Sequence, residues 1–171
     1  KKQNVNYFDA IKSITNLGDT FTVAIVNGSI FRFLLPHKIL DSFILGIRPT
    51  CVLYQRNQYY VGTLEGMYIV NRNRQMKPLK PVLNGIIHSI AYSFENDLLW
   101  VITADNGVYC LKEDKAIYHF NEQNGLSSNI CKSIFTDGNK VYVGTVNGLS
   151  IINPSEKFKI DRYYTLDGLL S

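Results

Sequence analysis

The sequence predicts an all-β fold assembled from about four copies of one short repeat. Three observations support this prediction. The 171 residues include 11 Tyr and 9 Phe, and aromatic residues, like Val and Ile, suit the pleated, half-buried surface of a strand. Gly and Asn recur between the apolar segments, where they favour tight turns. A pattern of strand, glycine turn and strand at residues 61–69 returns in the same register at residues 143–151.

Two landmarks define the repeat. A valine marks the second strand of each copy, at intervals of about 40 residues: Val23, Val61, Val101 and Val143. An aliphatic residue about ten positions upstream marks the first strand: Ile14, Val52, Ile90 and Ile134. Because both landmarks recur in all four copies, we expect the copies to be structurally equivalent units.

The fourth copy shows the local structure of one unit most clearly. An apolar run at residues 130–135 predicts a buried first strand, and alternation at 140–145 predicts a half-buried second strand. Residues 149–153 and 158–164 complete four strands. Turn residues separate them: Asp137-Gly138-Asn139, Asn147-Gly148 and Pro154-Ser155. Four antiparallel strands in about 40 residues are typical of a β-propeller blade, and no copy contains an amphipathic stretch of about ten residues that would indicate a helical solenoid.

The repeat boundaries divide the chain into four predicted blades. They span residues 9–45, 46–84, 85–124 and 125–166. Residues 1–8 are predicted to be the tail of a preceding blade, and residues 167–171 to lead into a following one. We therefore expect an arc of a larger propeller of about seven blades, since seven blades of ~42 residues would need about 300. Closure of four blades into a small ring is the alternative.

Charge and hydropathy exclude several classes of function. The 18 basic and 14 acidic residues give a net charge of +4, and the charges are not clustered as nucleic-acid binding requires. The most apolar windows, residues 31–35 and 43–47, are far shorter than the ~18 residues needed to cross a bilayer. No apolar signal segment follows the N-terminal lysines. We therefore predict no nucleic-acid partner and no membrane contact for this segment.

The sequence contains no recognisable set of residues for catalysis or for binding a metal or cofactor. Its acidic residues are scattered and many occupy turns, where Asp hydrogen-bonds its own backbone. The Asp137 turn lacks the further oxygen ligands of a calcium loop, and no nucleophile elbow or phosphate loop occurs. Three widely spaced cysteines are expected to be small buried side chains rather than disulfides or zinc ligands: Cys51, Cys110 and Cys131. We predict a non-enzyme without metal or cofactor.

Two sets of recurring side chains have structural interpretations. Thr63, Thr103 and Thr145 end the second strands, and we expect their hydroxyls to satisfy the following turn rather than to line a ligand site. Aromatic residues precede the landmark valine in copies two to four and are predicted to pack between blades: Tyr60, Trp100 and Tyr142. Stacking of Trp100 on a sugar is the alternative.

Propeller geometry indicates where a binding site would lie. The loops that lead into the inner strands and the turns between the second and third strands share one face, around the central channel. The candidate ligand-binding residues of the first group are Arg48, Lys80, His88, Asn129 and Lys132, and those of the second are Glu65, Asp105, Asn106 and Asn147. Ordinary solvation of polar loop residues is the alternative interpretation for each of them.

The fourth copy resembles the two-component regulator propeller repeat. The residues that carry the resemblance are Asn124-Gly125-Leu126-Ser127-Ser128-Asn129, Ile134, Asp137, Gly138, Val141-Tyr142-Val143-Gly144-Thr145, Asn147-Gly148-Leu149-Ser150 and Asn153-Pro154. Copy two keeps Val61-Gly62-Thr63 but loses the Asp-Gly turn. Copy three has Ile102 where the repeat has glycine, and copy one retains little of the repeat.

This resemblance implies the periplasmic sensor ectodomain of a hybrid two-component histidine kinase. The expected ligand is an oligosaccharide, and an anionic one would favour the basic candidate residues. The expected partners are the remaining blades of the propeller and a second ectodomain in a homodimer, with the signal passing to a kinase outside this sequence. Two alternatives stay open: a protein-interaction or dimerisation propeller without a small-molecule ligand, and a propeller lyase or glycosidase.

Overall fold

The computed structural model describes residues 10–36, 38–79 and 83–168. Within these residues the chain forms sixteen β-strands and three short 3-10 helices, and no α-helix. The predicted blade tail at residues 1–8 lies outside the described residues, as do residues 169–171 of the segment predicted to lead into a following blade.

Consecutive strands form four antiparallel four-stranded sheets, numbered blades one to four in chain order. Blade one contains β1 (Ile11–Leu17), β2 (Thr20–Ile25), β3 (Ser29–Leu34) and β4 (Lys38–Ile44). Blade two contains β5 (Pro49–Gln55), β6 (Gln58–Thr63), β7 (Met67–Val70) and β8 (Met76–Pro78). Blade three contains β9 (Ile87–Ser93), β10 (Leu98–Thr103), β11 (Val108–Lys112) and β12 (Lys115–Phe120). Blade four contains β13 (Cys131–Asp137), β14 (Lys140–Thr145), β15 (Gly148–Asn153) and β16 (Lys159–Tyr163). The 3-10 helices span Glu122–Asn124, Pro154–Glu156 and Thr165–Asp167.

The two sequence landmarks are direct cross-strand partners in every blade. The pairs are Ile14 with Val23, Val52 with Val61, Ile90 with Val101, and Ile134 with Val143. Directly opposed aliphatic and β-branched side chains stabilise an antiparallel pair. The predicted equivalence of the four copies is therefore confirmed at the level of strand register.

Each inner strand begins with a β-bulge at the same place. The register shifts leave one residue of each inner strand without a partner in the ladder: Lys12, Thr50, His88 and Lys132. A bulge bends the strand and redirects the side chain of its extra residue. Two of the candidate site residues, His88 and Lys132, therefore occupy equivalent bulges.

The glycine of the repeated turn is required by a close approach of two backbone segments. A Cβ atom at Gly66, Gly107 or Gly148 would lie 2.4, 2.1 or 2.2 Å from a carbonyl oxygen in the segment that runs beside the turn. All three also have positive φ angles, which disfavour residues with a side chain. These two constraints explain why the pattern retains glycine at this position.

The hydrophobic core lies between blades. Val52 and Val61 of blade two pack with Ala24 and Ile30 of blade one. A second cluster joins blades two and three, and a third joins blades three and four. The inner strands β1, β5, β9 and β13 pack against one another in this order. Because side chains alternate across a strand, each middle blade contributes one apolar face to each neighbour.

The aromatic residues beside the landmark valines follow this arrangement in the middle blades. Trp100 is fully buried in the cluster between blades three and four, where its ring packs with Phe120 and Phe158. Tyr60 is 1% exposed and belongs to the cluster between blades two and three. The predicted packing between blades is confirmed for these two residues. Tyr142 differs, because it lies half-buried on the face of blade four that points away from blade three.

Blades one and four each leave one apolar face uncovered. On blade one Ile14 and Ile44 are 58% and 73% exposed, and on blade four Phe135 is 64% exposed. Closure of the four blades into a small ring would cover these residues, so the chain does not form that alternative.

All three cysteines are buried and free, as predicted. Burial raises the pKa of Cys51, Cys110 and Cys131 to about 12. A thiol in that state is a poor nucleophile and a poor metal ligand. The cysteines therefore act as small apolar side chains.

Candidate functional site

The turns between the second and third strands of blades two to four share one hydrogen-bond pattern. The Thr hydroxyl donates across the turn to a glycine carbonyl: Thr63 to Gly66 at 2.8 Å, Thr103 to Gly107 at 3.1 Å and Thr145 to Gly148 at 3.0 Å. The same hydroxyls accept from the backbone N–H groups of Glu65, Asn106 and Asn147 at 3.1, 3.0 and 3.2 Å. Each hydroxyl is thus used twice by its own turn, as predicted. Thr63 also lines the cavity described below, so it satisfies its turn and borders a candidate site.

The turn candidates divide into free and engaged side chains. Glu65, Asp105 and Asn147 are exposed at the tips of their turns. Asn106 is also exposed, but its Nδ2 donates to the Tyr109 hydroxyl at 2.7 Å, and its carbonyl oxygen lies 2.7 Å from Nε2 of His119. Asn106 therefore fastens the turn to the outer strands of its own blade.

The candidates that precede or begin the inner strands divide in the same way. Arg48 is exposed immediately before β5, and His88 and Lys132 are exposed at the bulges of β9 and β13. Asn129 is held in place by reciprocal bonds, because its Oδ1 accepts from Glu122 N at 2.8 Å and its N donates to Glu122 Oε1 at 2.8 Å. These bonds hold the segment before β13 against the 3-10 helix that begins at Glu122. Lys80 lies outside the described residues.

One cavity brings two of the predicted residues together. It has a volume of about 230 Å³ and lies where the segment joining blades one and two meets the turn after β6. Its lining consists of Ile47, Arg48, Thr63, Leu64, Glu65 and Tyr68. Arg48 and Glu65 supply opposite charges, while Ile47, Leu64 and the Tyr68 ring supply apolar surface. This mixture suits a ligand with both hydroxyl groups and an apolar face.

Sequence reasoning missed part of this lining. The candidates were drawn from polar loop residues, whereas Tyr68 lies within β7 and Ile47 and Leu64 are apolar. The glycines at positions 46 and 66 are the sequence signal for the two turns that enclose the cavity. The tripeptide Lys-Ser-Ile at residues 12–14 also recurs at residues 132–134. The bulges place Lys12 and Lys132 at equivalent positions.

A second cavity of about 360 Å³ lies along the inner strands of all four blades. Its polar lining includes Asn16, Gln55 and Ser89, and its aromatic lining includes Phe94 and Phe135. None of the residues that line it carries a charged side chain. The charged candidates therefore lie outside this central groove.

The strongest charge interactions lie elsewhere, at the blade boundaries. Arg56 of blade two contacts Asp97 of blade three, with Nη2 2.6 Å from Oδ1, and the Tyr92 hydroxyl donates to the same carboxylate. The hydrogen bonds from Arg56 and Tyr92 hold the pKa of Asp97 below its usual range. These residues lie in or beside the hairpin turns between first and second strands, at the opposite end of the inner strands from the candidate face.

A similar cluster joins blades one and two. Arg74 and Tyr59 of blade two both donate to Asp41 of blade one. Burial acts to raise the pKa of Asp41, but the hydrogen bonds from Arg74 and Tyr59 outweigh it and lower the pKa overall. Both clusters fasten neighbouring blades together, so their perturbed pKa values have a structural cause.

Two further observations concern the described residues. They contain no group of three or more His, Cys, Asp or Glu side chains that could hold a metal ion. None of their helices is long and apolar enough to span a bilayer.

No protein-family model matches the chain, and no curated protein matches it. Solved structures do match. The extracellular domain of the putative hybrid two component system BT3049 from B. thetaiotaomicron matches with a TM-score of 0.73 and 19% identity, over 97% of this chain and 24% of that one. Streptogramin B lyase matches with a TM-score of 0.68 and 14% identity, over 94% and 57%. The WD40 beta propeller domain of Doa1 matches with a TM-score of 0.64 and 12% identity, over 90% and 54%.

These similarities show the fold, and the chain consists of β-propeller blades. It spans about a quarter of the BT3049 extracellular domain. The neighbours include both the extracellular part of a two-component system and a lyase. Because the same fold supports both recognition and catalysis, the function has to be argued from the residues of the candidate site.

Proposed function

We propose that this chain is part of the periplasmic sensor ectodomain of a hybrid two-component signalling protein. In this proposal it is an arc of a larger propeller and relays ligand binding to a kinase that is not part of the sequence. Two findings support the proposal: the structural likeness to an extracellular domain of such a system, and the resemblance of blade four to the two-component regulator propeller repeat. The chain itself performs no catalysis in this proposal.

The cavity beside Arg48 is the proposed recognition site, and an oligosaccharide is the proposed ligand. A sugar ring presents hydroxyl groups at its rim and C–H groups on its faces. Arg48 and Glu65 can hydrogen-bond the hydroxyls, while Tyr68 and Leu64 can contact a face of the ring. The cavity of about 230 Å³ is smaller than typical ligand pockets of roughly 300–1,000 Å³. It would therefore hold a terminal sugar unit, and Arg48 would favour one that carries a carboxylate or sulfate.

Titration calorimetry of the 171-residue chain with neutral and uronate-containing oligosaccharides tests this proposal. We expect the anionic oligosaccharides to bind, and Arg48→Ala to weaken binding at least tenfold, because a charge-assisted hydrogen bond is worth about 1.5–3 kcal/mol. Arg162→Ala is the matched control, since Arg162 lies exposed on β16 of blade four. Equal losses in both variants, or no heat with any oligosaccharide, would contradict this site. Product release from an oligosaccharide would contradict the absence of catalysis.

A second candidate function is a protein-interaction or dimerisation propeller without a small-molecule ligand. The uncovered apolar faces of blades one and four support it, because large apolar patches commonly mark interaction surfaces. In this case oligosaccharides would produce no heat, while the chain would still associate.

A further inference from the structure

One backbone hydrogen bond closes the open end of the hairpin formed by the first and second strands in blades one, three and four. The residue after the second strand donates its N–H to the carbonyl of the residue before the inner strand. The bonds run from Val26 N to Ala10 O at 3.0 Å, from Ala104 N to Ile86 O at 2.9 Å and from Val146 N to Ile130 O at 3.1 Å. These residues are equivalent, because each flanks the last register pair of its hairpin.

Blade two lacks this bond. Its equivalent residues are Leu64 and Arg48, which flank the register pair of Pro49 and Thr63. Among the described residues, neither the Leu64 N–H nor the Arg48 carbonyl has a backbone hydrogen-bond partner. The two peptide groups that close the hairpin in the other blades are therefore open in blade two.

Pro49 distinguishes blade two from the other described blades at this point. The inner strands of blades one, three and four begin with Ile11, Ile87 and Cys131, whereas β5 begins with proline. A proline ring restricts the backbone of the residue before it, which here is Arg48. The sequence difference and the missing bond thus occur at the same position.

The open end of this hairpin lies at the cavity of about 230 Å³, which both Arg48 and Leu64 line. Neighbouring polar groups of the turn are already engaged. The Thr63 hydroxyl donates to the Gly66 carbonyl and accepts from the N–H of Glu65. A ligand in the cavity therefore has the Leu64 N–H and the Arg48 carbonyl as backbone partners.

An amide group complements this opening. In the other blades the N–H of one peptide group meets the C=O of another, so the positions suit a group that carries both functions. The Leu64 N–H can donate to an amide oxygen, and the Arg48 carbonyl can accept from an amide N–H. A hydroxyl group can also bridge a donor and an acceptor, but it brings no apolar part. The methyl group of an acetamide can in addition contact the apolar lining, which Ile47 and Leu64 supply.

We propose that this cavity recognises a sugar unit that carries an acetamido group. The amide of that group binds between the Leu64 N–H and the Arg48 carbonyl, and its methyl group packs against Ile47 and Leu64. The inference rests on the proposed recognition of an oligosaccharide at this cavity and specifies a substituent of that ligand. The Arg48 guanidinium stays available for an anionic group, because the acetamide uses the carbonyl of this residue.

Amide hydrogen exchange of the ¹⁵N-labelled chain, followed by NMR, tests the open hairpin end. The amides of Ala104 and Val146 serve as internal controls, because they occupy the equivalent position and are hydrogen-bonded. We expect the Leu64 amide to exchange at least about tenfold faster than either of them. Equal protection of the three amides would overturn the proposal.

NMR titration of the complete chain with three β-1,4-linked trisaccharides tests the ligand. They consist of N-acetylglucosamine, of glucose and of glucuronate. We expect the N-acetylglucosamine trisaccharide to bind about tenfold more tightly than the glucose trisaccharide, because the acetamide adds two neutral hydrogen bonds. On binding, the Leu64 amide proton should move downfield, while the amide protons of Ala104 and Val146 should not.

A pair of matched variants tests the methyl contact. Leu64→Ala should reduce the tenfold preference for the N-acetylglucosamine trisaccharide to about threefold, because apolar contact with the methyl group is lost. Val146→Ala is the control, since Val146 is 49% exposed at the equivalent position of blade four and Leu64 is 51% exposed. It should leave the preference unchanged.

The three trisaccharides also separate this inference from the proposed function. Equal affinity for the N-acetylglucosamine and glucose trisaccharides, or a Leu64 amide that does not move on binding, would overturn the acetamide contact. Binding of the glucuronate trisaccharide in that case would leave the proposed function intact. Absence of binding by all three would contradict the proposed recognition of an oligosaccharide, and the acetamide contact with it.

Discussion

At the scale of single residues, the carboxylate of Asp41 connects blade one to blade two. It accepts from Arg74 and Tyr59, and the Arg74 guanidinium also lies over the Phe43 ring, 4.1 Å from its centroid. The hydrogen bonds lower the pKa of this carboxyl in the folded chain, despite the opposing effect of burial. A group with a lowered pKa in the folded state stabilises the fold above its unfolded pKa of about 3.9, and that contribution is lost as the pH falls through the folded-state pKa.

We therefore expect Asp41→Asn to change both the level and the pH dependence of stability. At neutral pH the variant should lose about 1–3 kcal/mol of unfolding free energy, since hydrogen bonds to a charged group are removed. Below about pH 4 the difference from wild type should shrink, because the wild-type carboxylate becomes protonated there. Urea denaturation at a series of pH values measures both effects. Asp105→Asn, at an exposed turn, is the control, and an equal effect of the two substitutions would contradict this role for Asp41.

At this scale the sequence predicted what depends on a residue's own strand or turn. The threonine hydroxyls were predictable because donor and acceptor lie within four residues of each other. The contacts of Asp41 and Asp97 with arginine were not, because Arg74 and Arg56 lie 33 and 41 residues away on another blade. The candidate site was predictable in part for the same reason. Arg48 and Glu65 stand out as polar loop residues, whereas Tyr68 reaches the cavity only through the path of β7.

At the scale of strands, two close neighbours explain why the repeat holds glycine at residue 62. A Cβ atom there would lie 2.5 Å from Sγ of Cys51 in β5 and 2.7 Å from Cγ2 of Ile87 in β9. The third copy departs from the glycine because its neighbour, β13, begins with a small residue, Cys131. The larger Ile102 and the smaller Cys131 thus compensate for each other in size at the boundary between blades three and four. Register and strand order were predictable from periodicity, but this matching was not, because it requires knowledge of which strands face each other.

A double-mutant cycle on Gly62 and Ile87 tests the matching. Gly62→Ala alone should cost about 1–3 kcal/mol, because the added methyl group overpacks the boundary against Ile87 and the Cys51 sulfur. Ile87→Ala alone should cost about 2–5 kcal/mol by leaving a cavity. The double variant should be more stable than the sum of the two losses by about 0.5–3 kcal/mol. Guanidinium denaturation measures the three free energies, and strict additivity would contradict a direct fit between the two side chains.

At the scale of the whole molecule, an arc whose core lies between blades is protected most strongly in its interior. Both faces of blade three are covered, and every residue of β10 is buried. Blades one and four have one face covered each. In repeat proteins stability depends on contacts between neighbouring units, so the end blades should open more often than the middle ones.

We expect amide hydrogen exchange to follow this order, with β9 and β10 exchanging most slowly and β1 and β16 among the fastest strands. Mass spectrometry of peptides from each blade measures the rates. The experiment should be run at low protein concentration, so that any association does not cover the faces of blades one and four. Uniform exchange across the four blades would indicate that the arc opens as a single cooperative unit.

The unequal residue pairs at the boundaries also bear on how the chain reaches its fold. A protein made of near-identical repeats risks pairing the wrong neighbours during folding. Here packing of blade two against blade four would place Gly62 beside Cys131, which is smaller than Ile87, and would leave an unfilled gap, so the incorrect neighbour is not equivalent to the correct one. The side-chain sizes thus favour packing of each blade against its neighbour in sequence. Strand periodicity alone would not distinguish that neighbour from the other blades.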